Sequence, residues 1–187
     1  MTMRRTTALL VTVGVLTAAG AAPAAATIRE RFTLHEEWSH AEDCGFPVEV
    51  TGWRDDLFLV REGTNQDAGA FPVVNRTSWS ETWTNPETGD WFTISGRSLF
   101  NEVSATRVEG SIFEFRAVDA GQPFVVVDSD GTVVERNSGS VHFSYLFDTG
   151  GDDEPGGEWL ADTDFWVAGP HPSLDLAPCD YAVQLIG

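Results

Sequence analysis

Three tryptophans and one carboxylate stand closest to chemistry in this sequence. Trp79, Glu81 and Trp83 alternate with Ser78, Ser80 and Thr82, and Trp91 follows across the turn-rich stretch Asn85-Pro86-Glu87-Thr88-Gly89. Successive side chains of an extended strand point to opposite faces. Trp79, Glu81 and Trp83 therefore share one face, and the hydroxyl residues take the other, wetter one. Glu81 is then an inward carboxylate between two indoles. A carboxylate withdrawn from water must find a partner or lose its charge. Such a group suits a polar anchor for a ligand, or a general acid. Arg76, Arg97, Arg107 and Arg116 are candidate partners, and a purely structural bridge to one of them is the plainer alternative. With the faces inverted, Trp79, Trp83 and Trp91 form an exposed platform on which a sugar ring stacks its apolar face. Both readings make Trp79, Glu81, Trp83 and Trp91 the candidate ligand-binding residues.

Other constellations are weaker. Asp148, Asp152, Asp153, Glu154 and Glu158 crowd five carboxylates into a glycine-rich loop. Calcium prefers oxygen ligands on such loops, but the spacing matches no EF-hand, and a solvated acidic loop is the expected state. Asp128-Ser129-Asp130-Gly131 has the composition of a tight hairpin turn. His35, His40, His142 and His171 show no metal-ligand spacing and read as surface residues. No Gly-X-Ser-X-Gly elbow occurs, and no two acids stand out as a glycosidase pair. No catalytic residue, metal ligand or cofactor is assigned.

The N-terminus reads as an address. Arg4 and Arg5 precede a largely apolar run from Ala8 to Ala19, and Ala24-Ala25-Ala26 supplies the small residues of a peptidase site. This is the order of parts in a secretory signal peptide. Residues 1–26 are the expected signal, and residues 27–187 a single secreted β domain. The apolar run is short for about 30 Å of hydrocarbon, so no membrane association is expected after cleavage. The expected mature chain carries nine basic against 29 acidic residues, a formal charge of −20, with no Lys. That charge repels phosphate backbones and anionic lipid, which argues against nucleic-acid and membrane-surface partners. An even pair of cysteines in an exported protein reads as a disulfide, Cys44–Cys179, tying the two ends of the domain.

Stepping along the chain, period two dominates and no convincing helical stripe emerges. Phe32, Leu34 and Trp38 share a parity; so do Val48 and Val50, Phe113, Phe115 and Ala117, and Val141, Phe143, Tyr145 and Phe147. A short last strand is expected near Tyr181–Ile186. Turns are expected at Asn85–Gly89, Asp119–Gly121, Asp128–Gly131, Asn137–Gly139, Thr149–Gly157 and Gly169–Pro172. About eight to ten strands at this spacing predict an all-β fold. The expected form is a single antiparallel β-barrel, lipocalin-like or similarly closed, with a β-sandwich as the alternative.

The phrases Cys44-Gly45-Phe46-Pro47, Gly110-Ser111-Ile112-Phe113-Glu114-Phe115, Gly121-Gln122-Pro123-Phe124, Phe147 to Glu158 and Gly169-Pro170-His171-Pro172 resemble exported actinobacterial proteins described only as hypothetical. The resemblance spans most of the mature chain. It implies an origin and an extracellular location, and transfers no activity or site. The leading expectation is a non-enzymatic module that binds a small molecule or glycan. The alternatives are a cell-envelope module for protein contact, and a barrel enzyme using an inward carboxylate such as Glu81.

Overall fold

The computed structural model describes residues 28–63, 68–171 and 176–187. The expected signal peptide lies outside them, as does Pro172 of the last predicted turn. Among the described residues the chain forms seven strands and one helix. The strands are β1 (Ile28–Asp43), β2 (Pro47–Arg61), β3 (Val73–Thr84), β4 (Trp91–Glu109), β5 (Ile112–Asp128), β6 (Val133–Asp148) and β7 (Glu158–Ala168); the helix is α1 (Pro178–Leu185). Each strand pairs antiparallel with its neighbours in sequence, giving the order β1-β2-β3-β4-β5-β6-β7.

Cross-strand partners share a face, so the register sorts the side chains. One row runs Val50, Trp83, Phe92; the next runs Gly52, Glu81, Ile94, Val126. Val50, Phe92, Ile94 and Val126 are fully buried. The opposite face carries Thr51, Ser80, Thr82 and Thr93 in register. An antiparallel sheet with one dry face gives this alternation, and it is what the sequence pattern predicts.

The dry face has little to pack against except itself. The sheet coils, and Arg29 of β1 reaches Asp153 and Glu154 in the loop leading into β7, at 3.6 Å each. Two clusters fill the interior. At the end bearing the β1–β2, β3–β4 and β5–β6 turns, Val48, Val50, Trp83, Phe92, Ile94, Phe124 and Val126 meet Ala182 and Ile186 from the helical C-terminus. At the other end Ala105, Phe113, Phe115, Ala117 and Tyr145 pack with Ala70. Ala70 belongs to the β2–β3 connection, which folds inward through hydrogen bonds from Arg61 N–H to Pro72 O and Gly63 N–H to Ala70 O.

The expected closed barrel does not form. β1 and β7 are unpaired with each other among the described residues, so the sheet is open. Closure requires a last strand that reaches the first with matching stagger. The Tyr181–Ile186 stretch, expected as a strand, is instead part of α1 and its cap. Pro178 starts the helix, where its missing N–H costs nothing. Cys179, Ala182 and Ile186 then form a stripe at helical spacing, and the last two are buried. The helix plugs an end of the coil rather than closing its side. Both edge strands consequently keep apolar side chains in solvent: Phe32 and Leu34 on β1, and Trp159, Phe165 and Trp166 on β7, with Phe165 60 % exposed.

Two expected turns are also corrected. Asp119–Gly121 and Asn137–Gly139 lie inside β5 and β6, where Gly121 pairs with Gly139. Glycine within a strand marks a bend or bulge as readily as a turn. Here the register slips between Gly121 and Phe124, beside a second slip in β4 between Ser95 and Arg97. The strands are therefore fewer and longer than expected.

α1 is held by three different bonds. Cys44, in the β1–β2 turn, is bonded to Cys179 across 135 residues. Asn85 Nδ2 donates to the Ile186 carbonyl at 2.8 Å, and the Tyr181 hydroxyl donates to Glu135. Burial and that carboxylate push the Tyr181 phenol up to about 12. The disulfide thus joins the first turn, not the first residue, to the C-terminal helix. Loop-closure entropy gives about 5 kcal/mol for a crosslink of this span. The double variant Cys44→Ala, Cys179→Ala is expected to lose about 3–5 kcal/mol in urea unfolding. The Ala182 amide should lose its protection from hydrogen exchange first.

Candidate functional site

Trp79, Glu81 and Trp83 do share the inner face of β3. Trp83 is 6 % exposed and sits in the core beside α1, while Trp79 packs half-buried against the same cluster. The Trp83 indole N–H donates to Glu81 Oε2 at 3.0 Å. Among the described residues none of the four candidate arginines pairs with Glu81; its carboxylate accepts from the Trp83 indole instead. Arg107 instead donates to the carbonyls of Gly110 and Ala68, and Arg116 approaches Glu114 at 3.9 Å.

These three residues line a groove of about 520 Å³, together with His40 and Glu42 of β1 and the segment Leu176–Cys179. His40 Nε2 stands 3.2 Å from Glu42 Oε1. One wall is β-sheet and the other is chain held by the disulfide. The groove presents two indoles, two carboxylates and an imidazole over an apolar floor. Such a set grips hydroxyl groups by hydrogen bonds and a sugar face by stacking.

Trp91 is not part of it. Its cross-strand partner is Thr84, which places it on the outer face, 40 % exposed. The turn across Asn85–Asp90 reverses the chain so that Phe92, not Trp91, faces Trp83. Reading Trp91 into the same face overlooked how the turn sets register.

The indole of Trp79 requires a missing side chain opposite it. Gly96 is its cross-strand partner, and a Cβ there would come within 2.5 Å of Trp79 Nε1 and 2.0 Å of the Pro123 carbonyl. Gly52 serves Trp38 in the same manner, with a Cβ–indole approach of 2.5 Å. Gly96→Ala is expected to destabilise the fold by about 2 kcal/mol or more, read by thermal unfolding. It should also shift the Trp fluorescence as Trp79 is displaced.

A second inward carboxylate was missed. Glu102 of β4 is 7 % exposed. It accepts hydrogen bonds from the Tyr145 hydroxyl and from the Val73 N–H. Burial pushes its carboxyl above the ordinary value, against the opposing pull of those two donors and of Arg61. Burial and the adjacent Glu102 also push the Tyr145 phenol far up. Glu102 shares its parity with Phe92, Ile94 and Phe100, the same signal that marked Glu81. A register slip at Glu102/Ser104 ends that parity and hides the continuation.

Between the two ends lies a polar band. Asp56 accepts from Thr77 Oγ1 at 2.6 Å and Asn75 Nδ2 at 3.0 Å, and Arg54 Nε approaches Asp56 Oδ2 at 2.6 Å. Burial alone would raise the Asp56 carboxyl, but these donors prevail and hold it below the ordinary range. The histidines remain at the surface or in local contacts: His35 bonds Asp55 at 2.6 Å, and His142 stacks on Trp166 at 3.6 Å. In the loop before β7, Asp148 caps Gly150 N–H at 2.9 Å. Among the described residues no group of three or more His, Cys, Asp or Glu side chains is gathered as a metal site requires.

Comparison with protein-family models, with curated proteins and with solved structures finds no match for this chain. Its own geometry has to carry any assignment.

The raised carboxyl of Glu102 has a signed consequence. An acid that holds its proton more tightly when folded stabilises the fold at low pH, and that contribution is lost as pH rises through the folded pKa. Wild type is therefore expected to lose stability relative to Glu102→Gln as pH climbs above the ordinary value of 4.5. The limiting slope is about 1.4 kcal/mol per pH unit, measured by urea unfolding of both proteins across the range.

Proposed function

We propose that this chain is an exported, non-enzymatic module that binds a small hydroxyl-rich ligand of the sugar class in the groove at Trp79, Glu81 and Trp83. The observation that carries the reading is the shared inner face of those residues, opening on a groove whose far wall is fixed by the disulfide. Trp79 supplies the stacking surface. Glu81, already oriented by the Trp83 indole, supplies an acceptor, and Glu42 with His40 supplies further polar contacts two strands away on the same sheet. The wall is pre-set, so little ordering free energy is lost on binding.

Export is part of the same proposal. A disulfide persists in oxidising compartments and is rare in reducing ones. Among the described residues no helix is long and apolar enough to cross a membrane. A second reading, contact with another protein, is favoured by Trp159, Phe165 and Trp166 on the unpaired edge of β7. Edge strands with exposed apolar side chains recruit further strands. Light scattering across a concentration series decides it: an unchanging monomer in the presence of envelope extracts removes that reading.

The groove is tested by titrating mono- and oligosaccharides while following Trp fluorescence. A saturable change is expected, weakened about tenfold or more in Trp79→Ala and in Glu81→Gln, since each removes one well-made contact. A flat response across the whole panel overturns the assignment.

A further inference from the structure

The far end of the coil holds a feature that the groove does not explain. A cavity of about 160 Å³ lies between Val60, Val73, Phe115, Tyr145 and Phe147, with Glu102 on its wall and Pro155 and Gly156 forming its cover. A dry, apolar cavity of about 150 Å³ accommodates a single six-membered ring. This one is lined mainly by aromatic and branched side chains, and it departs from that simple case by carrying polar groups, the Glu102 carboxyl foremost, with Thr149 and the Tyr145 hydroxyl.

Among the described residues no cationic side chain bonds the Glu102 carboxyl directly. Its two donors, the Tyr145 hydroxyl and the Val73 N–H, are neutral. Arg61, the cation nearest by electrostatic influence, directs its guanidinium to the Asn101 side chain and to the backbone carbonyl of Glu102, not to the carboxylate. No ion pair among the described residues includes Glu102. A buried carboxylate without a cation is costly. Each of its oxygens has a lone pair to spare after Tyr145 and Val73 are served. Phe115, Tyr145 and Phe147 line the same space, and aromatic rings near a carboxylate favour a cation with an apolar body.

The geometry points to a second binding site here, one that takes a small hydrophobic ammonium: a single ring or short aliphatic body carrying one amine, with the amine on Glu102 and the body among the aromatic walls. The cover is the loop before β7, and its hold on the rest of the molecule is local. Arg29 lies over the Phe71 ring at 4.9 Å and pairs with Asp153 and Glu154. Thr149 N–H donates to the Ser111 carbonyl at 3.0 Å. The loop spans the paired ends Asp148 and Glu158 and adds no strand of its own to the sheet. The groove and the cavity share no residue, so the sugar titration and the experiment below fail independently.

Benzylamine and toluene serve as the charged and neutral probes, titrated by calorimetry into the full mature chain. Wild type is expected to bind one benzylamine, at least tenfold more tightly than toluene. Glu102→Gln should lose that tenfold preference while keeping its toluene affinity. Methyl shifts of Val60 and Val73 in NMR spectra should report the occupancy. Where Glu102→Gln fails to fold, wild type alone decides: benzylamine affinity should rise as pH climbs above the ordinary carboxyl value of 4.5 and the carboxyl ionises while the amine stays charged. Absent saturable binding, equal affinity for the two probes, a pH-independent affinity, or shifts confined to residues outside the cavity would each overturn the assignment.

Discussion

Among the described residues one imbalance governs the molecule: a seven-stranded sheet with a single dry face, and an eight-residue helix to cover it. Apolar surface left in water costs roughly 25 cal/mol per Å², and a flat sheet of this size would leave most of that face wet. Coiling is the remaining solution. It brings Val60 of β2 and Phe71 around the same space as Phe115, Tyr145 and Phe147 of β5 and β6, and Phe92 and Val126 are buried with Ala182 and Ile186. The same imbalance accounts for the edges. β1 and β7 lie where the coil ends, so their inward side chains find cover on one side only.

Coiling a sheet this far demands local relief, and the sequence supplies it through small residues and slipped pairing. Gly96 and Gly52 let indoles lie against the backbone where a Cβ would collide. Paired slips in β4 and β5 concentrate bending along one line, as bulges do in curved sheets. The polar band of Arg54, Asp56, Asn75 and Thr77 falls between the two apolar clusters, where hydrogen bonds replace packing. It is affordable because the Asp56 carboxylate is served by several donors at once.

How much of this was legible follows from what each signal encodes. Strict alternation reports which face a residue occupies, so the inward placement of Trp79, Glu81 and Trp83 could be read directly. It reports nothing about what lies beyond a turn or a bulge. Trp91 was misplaced by a hairpin, and Glu102 was passed over although its parity matched Ile94, because a slip follows it. Gly121 and Gly139 looked like turn residues since glycine serves bends and turns alike. α1 escaped because its stripe is only two turns long, and because Val183, 58 % exposed, and Leu185 give it the look of a strand. Closure was the least legible property of all. It depends on whether a last strand arrives at the right place, a question of three dimensions that no local period contains.

The two ends of the coil are closed by bonds of very different strength, and this asymmetry separates structure from function. At the α1 end a covalent link, a buried side-chain hydrogen bond to the Ile186 carbonyl and two core side chains act together. At the opposite end the cover is a glycine-rich loop. Its acids meet Arg29 with side-chain exposures of 91 % for Asp153 and 74 % for Glu154. Exposed ion pairs contribute about 0–1 kcal/mol, so beyond the Thr149 bonds to Ser111 these pairs add little to the hold on the loop. A rigid wall favours a groove whose shape must exist before the ligand arrives; a weakly held cover favours a cavity that must open to be filled. The chain places an oriented carboxylate, Glu81, beside the first and an uncompensated one, Glu102, inside the second. The chain's strong net negative charge draws cations toward both, but among the described residues the buried carboxylates are Asp56, paired with Arg54, and Glu102, which no cation bonds directly, so a cation arriving at Glu102 would meet the larger unmet demand.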